Sequence, residues 1–397
     1  RNNQLRKRTI TAVLKTEIHT LGNSTMHSEL TRRTAQSLTD ATQADQALTA
    51  MIGLDAFVDE IIRVVDRRIS PLVYSPVERL SDLSARIATA AGVGTNMELV
   101  VERVKLGGQG PIMANALAAL GTDVTCVGPF GEGTLHPVFS ELAERANVVS
   151  LGEPGHTDAL EFEDGKLMLG KHESLRDVTW ERLIERMGTE EVEHRLSRSN
   201  LVALINWTML PAMNAIWEQA LALLERTGAT GTFFFDLADP EKHDNDAVGT
   251  ACHLLARFQK YGPTILGLNE KEALRVADTL GYQGRGHGRT NVRHVAAFIS
   301  QALPIATVVV HPRAYAVTAS QGAVTAEVEG PFTDNPLIST GAGDHFNAGF
   351  CLGRLLGLPD DQAATAAVGT SGYYVRNAAS PTLPQLAEFL ASQAQPA

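Results

Sequence analysis

From about residue 200 onward, short apolar runs alternate with helical patterns, and this alternation leaves few architectures open. Residues 201–205, 232–236, 264–268 and 306–310 read as strands, and 213–224, 247–260, 270–280 and 292–302 as helices. Strands apolar on both faces must be covered on both sides, which calls for a mostly parallel sheet between two helical layers. Residues 315–319 and 324–328 read as an antiparallel edge. Upstream, 51–54 is a short buried strand, 98–104 another, and 80–91 a helix inside what reads as an insertion over 64–100. Residues 159–162 and 166–169 flank Asp164-Gly165, a strong hairpin signal, and such a hairpin can serve as a lid. The first fifty residues are polar and helix-compatible, which divides the chain into an extension, 1–50, and a main domain, 51–397.

In open α/β sheets, ligands bind beyond the carboxyl ends of the strands. Asp55 and Asp59 follow the strand at 51–54, where a carboxylate can accept hydrogen bonds from adjacent sugar hydroxyls or simply cap a turn. Asp236 and Asp239 end the strand at 232–236. Asn269 and Glu272 lie three apart at a helix start; an amide and a carboxylate there suit a hydrated Mg²⁺ near phosphates, or an ordinary capped helix. Gly107-Gly108 precedes an Ala/Leu-rich helix ending at Gly121, and lets a ligand approach the backbone. It has neither the G-K-[ST] of a phosphate loop nor dinucleotide G-x-G-x-x-G spacing.

The most chemically loaded stretch is Ser339-Thr340-Gly341-Ala342-Gly343-Asp344-His345-Phe346-Asn347. Small residues at a helix start leave outward N–H groups for an anion, and the helix dipole adds to them. A carboxylate beside an anion site makes sense as the base that takes a proton from a hydroxyl attacking a bound phosphate. His345 beside Asp344 invites a dyad, but adjacent helical residues do not face each other. Gly284–Arg289 falls between helices and reads as a mobile loop.

Composition narrows the partners. With 397 residues, 44% hydrophobic and a net charge of −11, the chain has a large core and no broad basic surface. Nucleic acid and anionic membrane are therefore poor partners, and no apolar run reaches membrane-span length. The three cysteines show no C-x-x-C spacing, which favours a reducing, cytoplasmic setting over a disulfide or zinc framework.

Taken in order, these motifs resemble the ribokinase-like (PfkB) carbohydrate kinases over residues 51–385. The resemblance implies a doubly wound α/β domain with a small β lid and γ-phosphoryl transfer from ATP to a sugar or sugar-derivative hydroxyl. By that resemblance Asp344 is the base, and Thr340, Gly341, Ala342 and Gly343 cradle the phosphate. Asp59, with Asp55 as rival, and Gly107-Gly108 hold the acceptor. Asn269, His311 and Asn347 face the nucleotide, and Asn269 and Glu272 organise Mg²⁺ through water. ATP and Mg²⁺ are the implied cofactors, with room for a monovalent cation. Pairing of lid strands would give a homodimer. Departures from the family pattern are Ile112 where Asn is frequent, His311-Pro312-Arg313 in place of T-x-G, and Gly133 where Asp is common. The alternatives are a nucleoside kinase of the same fold and a sugar- or nucleotide-binding sensor.

Overall fold

The computed structural model describes residues 28–44 and 47–394. The strands, in chain order, are β1 (Thr49–Gly53), β2 (Phe57–Ser70), β3 (Val73–Pro76), β4 (Leu99–Gly107), β5 (Asp123–Gly128), β6 (Asn147–Ser150), β7 (Gly155–Phe162) and β8 (Gly165–Lys171). They continue as β9 (Leu201–Leu204), β10 (Thr232–Asp236), β11 (Thr264–Leu268), β12 (Thr307–Val310), β13 (Tyr315–Ser320) and β14 (Ala323–Glu329). A nine-stranded sheet runs in the order β14-β13-β12-β11-β10-β9-β1-β5-β6. It is parallel from β12 to β6, and β13 and β14 close one edge antiparallel.

The double covering follows from side-chain alternation. On β10, Phe233 and Phe235 enter one core and Phe234 the other, and on β1, Met51 and Ile52 divide the same way. This parallel sheet brings one end of each strand to a common rim. Asp55 follows β1, Asn206 follows β9, Asp236 ends β10, Asn269 follows β11 and His311 follows β12.

A second sheet of five strands forms the lid. β2 is flanked by β4 and β7, β8 pairs β7, and β3 pairs the distal half of β2. Ile62, Val64, Leu160 and Phe162 pack with Val77 and Leu83, so the helix Leu80–Thr89 gives the lid its own small core. The turn residue Asp164 accepts from the Leu80 N–H at 2.6 Å, which ties the hairpin to this helix.

Two expectations need correction. The segment from 64 is no simple insertion, because β2 continues to Ser70. Its far half, Asp66-Arg67-Arg68-Ile69-Ser70, projects as a ribbon with little buried side chain, so the apolar signal fades while the strand persists. Within Gly284–Arg289, Arg289 lies in the first turn of the helix Gly288–Ala302 and pairs with Glu327 and Glu329 instead of presenting itself to a phosphate.

Residues 1–27 of the expected extension lie outside the described residues. A helix spans 28–43, with Ala35 and Leu38 buried in the core shared with Leu386 and Leu390 of the helix Leu383–Gln393.

Candidate active site

The helix Ala342–Leu355 starts at Gly341, whose φ of 89° is a left-handed value suited to glycine. No side chain caps it; the Ala342 N–H donates to the Ser339 carbonyl at 3.3 Å, which leaves the next N–H, of Gly343, for an outside acceptor. A Cβ on Gly341 would lie 3.2 Å from both Ile112 Cγ2 and the Tyr374 hydroxyl oxygen. The loop is braced from several sides. Tyr374 donates its hydroxyl to the Thr340 carbonyl at 2.9 Å. His345 Nδ1 lies 2.7 Å from the Gly341 carbonyl and Nε2 lies 2.8 Å from Ser380 Oγ. The His345 ring also stacks on Tyr374, with centroids 3.6 Å apart. His345 is therefore a strut of the loop, and the dyad fails as expected.

Asp344 stands in the first turn of this helix. Burial, then the nearby negative charges of Asp236 and Asp55, hold its carboxyl well above the usual carboxylate range. Asp236 is 3% exposed at the end of β10. Its Oδ1 accepts from the Ala238 N–H at 2.8 Å and its Oδ2 from Asn347 Nδ2 at 2.9 Å. Asn347, expected on the nucleotide, is buried and holds Asp236 instead. Its Oδ1 is buried without a hydrogen-bond partner, as is Gln109 Oε1.

The two candidate acceptor carboxylates separate cleanly. Asp55 is fully buried and accepts from the N–H groups of Gln109 (2.9 Å) and Gly110 (2.7 Å) and from Asn206 Nδ2 (2.5 Å). It anchors the start of the helix Gln109–Ala119, and removing it would leave buried donors unpaired at about 1–3 kcal/mol each. Asp59 sits on the lid strand β2, opposite Lys105 of β4 and Thr157 of β7. Burial raises its carboxyl, while Lys105, a hydrogen bond from Thr157 and Lys166 oppose that rise.

The glycine pair packs against these carboxylates. A Cβ on Gly107 would lie 2.5 Å from Cγ, Oδ1 and Oδ2 of Asp59, and one on Gly108 3.0 Å from Asp55 Oδ2. Gly107→Ala is thus expected to displace Asp59 and raise the acceptor KM by about tenfold or more, with the ATP KM changed little. Steady-state kinetics with each substrate varied in turn checks this.

A cavity of about 320 Å³ borders the loop, lined among others by Asn269, His311, Tyr315, Ala342, Gly343 and Phe346. The His311 ring lies 4.6 Å from that of Phe346, and its Nε2 is buried without a partner. Burial pushes its pKa down to about 4, so a neutral imidazole borders the cavity at neutral pH. Asn269 and Glu272 form a capping box. Asn269 Oδ1 accepts from the Glu272 N–H at 2.9 Å, and Glu272 Oε2 accepts from the Asn269 N–H at 2.8 Å. Burial, then Asp236, raises the Glu272 carboxyl well above its usual range. Among the described residues, no group of three or more His, Cys, Asp or Glu side chains is arranged to hold a metal.

One participant escaped the sequence reading. Lys166, on the lid strand β8, donates to Thr340 Oγ1 at 2.7 Å across 174 residues of chain. A lysine next to a hairpin turn ordinarily reads as solvated, and no local pattern marks so distant a contact.

An uncapped helix start with a buried carboxyl in its first turn, a bordering cavity and a β lid are the features of a ribokinase-like sugar kinase. Solved structures carry the same fold. A mutant of phosphofructokinase-2 from Escherichia coli aligns with a TM-score of 0.60 and 14% identity, over 88% of this chain and 100% of that one. The Arabidopsis thaliana ribokinase complexed with ribose and ATP aligns at 0.59 and 14%, over 87% and 99%. The ketohexokinase of Haloferax volcanii is 27% identical over 346 residues, 85% of this chain and 90% of that protein. Residues 28–393 match the family described as prokaryotic ketohexokinase, and the chain belongs to that family. It is an ATP-dependent carbohydrate kinase acting on a small-molecule sugar.

Proposed function

We propose that the chain transfers the γ-phosphoryl group of ATP to a hydroxyl of a ketohexose, with Asp344 as the base. The observation that carries this reading is the placement of Asp344 in the first turn of the uncapped helix that starts at Gly341, with its carboxyl raised by burial. The name of the Haloferax volcanii relative supports the acceptor class. The first-turn amides would receive the phosphate, Asp59 would hold acceptor hydroxyls under the lid, and the cavity beside His311 and Phe346 would take the nucleotide. His311 would offer its unpartnered Nε2 to that ligand.

The residues fit a Mg²⁺ held chiefly by nucleotide phosphates and water, since the buried Glu272 carboxyl lies within the field of Asp236, Asp239 and Asp344 beside the cavity. Glu272 would orient such water, and its capping box with Asn269 fixes its position at the helix start. A bound Mg²⁺ supplies charge neutralisation at the phosphates. The free, buried cysteines fit a cytoplasmic protein. On the lid, Leu99, Val101, Val104 and Leu169 are exposed and share one face by strand register, an apolar surface for a second copy of the chain.

ADP release on an acceptor panel tests the reading. Ketohexoses such as D-fructose are expected to exceed adenosine and inosine in kcat/KM by at least about 100-fold. A nucleoside preference, or background rates with every sugar, would contradict it.

The buried acids also set a pH dependence. Asp344 must be ionised to act, so activity falls as pH drops through its raised pKa. Asp236→Asn removes a negative charge that contributes to that elevation. The acidic limb of the kcat/KM profile is therefore expected to move to lower pH, by about one unit. An unmoved limb would show that Asp236 does not tune the base.

A further inference from the structure

The lid carries an unexplained crowd of cations on the side of Asp59. Arg103 and Lys105 lie two apart on β4, and so point to the same face of the lid sheet. Lys105 experiences Lys166 and Arg103 as destabilising like charges, and Asp59 and Glu161 as stabilising ones. Lys105 is half-buried. Among the described residues, Lys166 makes no ion pair, although Asp59 feels its charge. Its hydrogen bond goes to a neutral hydroxyl, Thr340 Oγ1, at the entrance to the uncapped helix start. Asp59 and Glu161 offset part of the repulsion among the three cations, and the ammonium of Lys166, without an ion pair of its own among the described residues, remains available to a further negative group. Of these groups, Lys166 reaches the Thr340 loop, where the phosphate is expected.

We propose that Lys166 is a catalytic residue delivered by the lid, contacting the phosphoryl group in transit between ATP and the acceptor hydroxyl. This rests on the kinase reading above and adds a part that the loop does not supply. In the transfer, the bond from the γ-phosphorus to the β-phosphate bridging oxygen breaks and a bond to the acceptor oxygen forms. The hydroxyl proton passes to Asp344, and ADP leaves with the bridging oxygen. Charge spreads over the equatorial oxygens of the moving group. An ammonium with two N–H donors left beyond the Thr340 bond is suited to them. Because Lys166 sits on β8, an open lid withholds this cation, so water meeting bound ATP finds the site incomplete.

The test compares wild type, Lys166→Met and Lys166→Arg in the full chain. For Lys166→Met, kcat with ATP and D-fructose is expected to fall by about 100-fold or more, with both KM values within about threefold. Lys166→Arg should recover part of the loss. An activity-independent readout is calorimetric binding of ADP with and without aluminium fluoride, in the presence of Mg²⁺ and D-fructose. Lys166→Met should bind ADP as wild type does but lose at least about tenfold of the tightening that aluminium fluoride brings. Thermal melting checks that the variants fold; if Lys166→Met melts early, Lys166→Gln takes its place. A kcat within threefold of wild type, a raised acceptor KM at unchanged kcat, or undiminished tightening by aluminium fluoride would each overturn the assignment while wild-type turnover left the kinase reading standing. A wild-type chain inactive on every ketohexose would overturn both.

Discussion

Asp344→Asn is expected to lower kcat by about a thousandfold or more while raising the melting temperature. The rate loss follows from removing the proposed base: general base catalysis contributes on the order of 10² to 10⁴, and no other carboxylate stands in the first turn of that helix. The stability gain follows from electrostatics. Folding raises the Asp344 pKa through burial, Asp236 and Asp55. Between the ordinary carboxylate range and that raised value, the folded state binds more protons than the unfolded chain. Stability contributed by this group is therefore present at low pH and declines as pH rises through the window. The variant loses that decline, so its advantage in melting temperature should widen from acidic to neutral pH. Kinetics and melting curves on the same samples check both halves. A variant that is inactive and also less stable at neutral pH would mean that Asp344 holds the loop together, and that its chemistry was misread.

Asp59→Ala is expected to raise the acceptor KM by about 100-fold, with the ATP KM nearly unchanged. Hydrogen bonds to a charged group contribute about 1.5–3 kcal/mol, so losing those to acceptor hydroxyls reaches this size. The effect should appear in the acceptor because Asp59 belongs to β2 of the lid, while the cavity beside His311 is lined from the sheet side and the C-terminal helices. Varying D-fructose at saturating ATP, and the reverse, separates the two. Equal rises in both KM values would contradict an acceptor-side role.

These side chains differ in how far local sequence exposes them. The strands at 232–236 and 264–268 were legible to the residue, because an unbroken apolar run that ends in Asp236, or stops before Asn269, has one comfortable environment between helical layers. The helix start at Thr340–Asp344 was legible for a similar reason: it depends on small residues adjacent in sequence, and the helix begins right after Gly341. Asp55 and Asp59 were not separable, because the difference lies in partners far along the chain. Gln109, Gly110 and Asn206 surround Asp55, whereas Lys105 and Thr157 stand across from Asp59. All of β2 was missed: its near half is buried on both faces and interrupted by Asp59 and Glu60, and its far half is an exposed ribbon, so neither carries an alternating apolar pattern. Asn347 looked available for the nucleotide, but its position in the helix Ala342–Leu355 directs it inward to Asp236. Asn269 and Glu272 were read with both their metal and capping uses open, and the capping box is the one the backbone geometry shows.

Phosphorus NMR of the full chain with ATP, Mg²⁺ and D-fructose, run in parallel for wild type and Asp344→Asn, tests the central claim most directly. A new sugar phosphomonoester resonance is expected to grow in step with ADP in the wild-type sample, with neither signal above background in the variant. A wild-type sample releasing ADP with inorganic phosphate alone, or a variant forming the phosphomonoester at the wild-type rate, would contradict it.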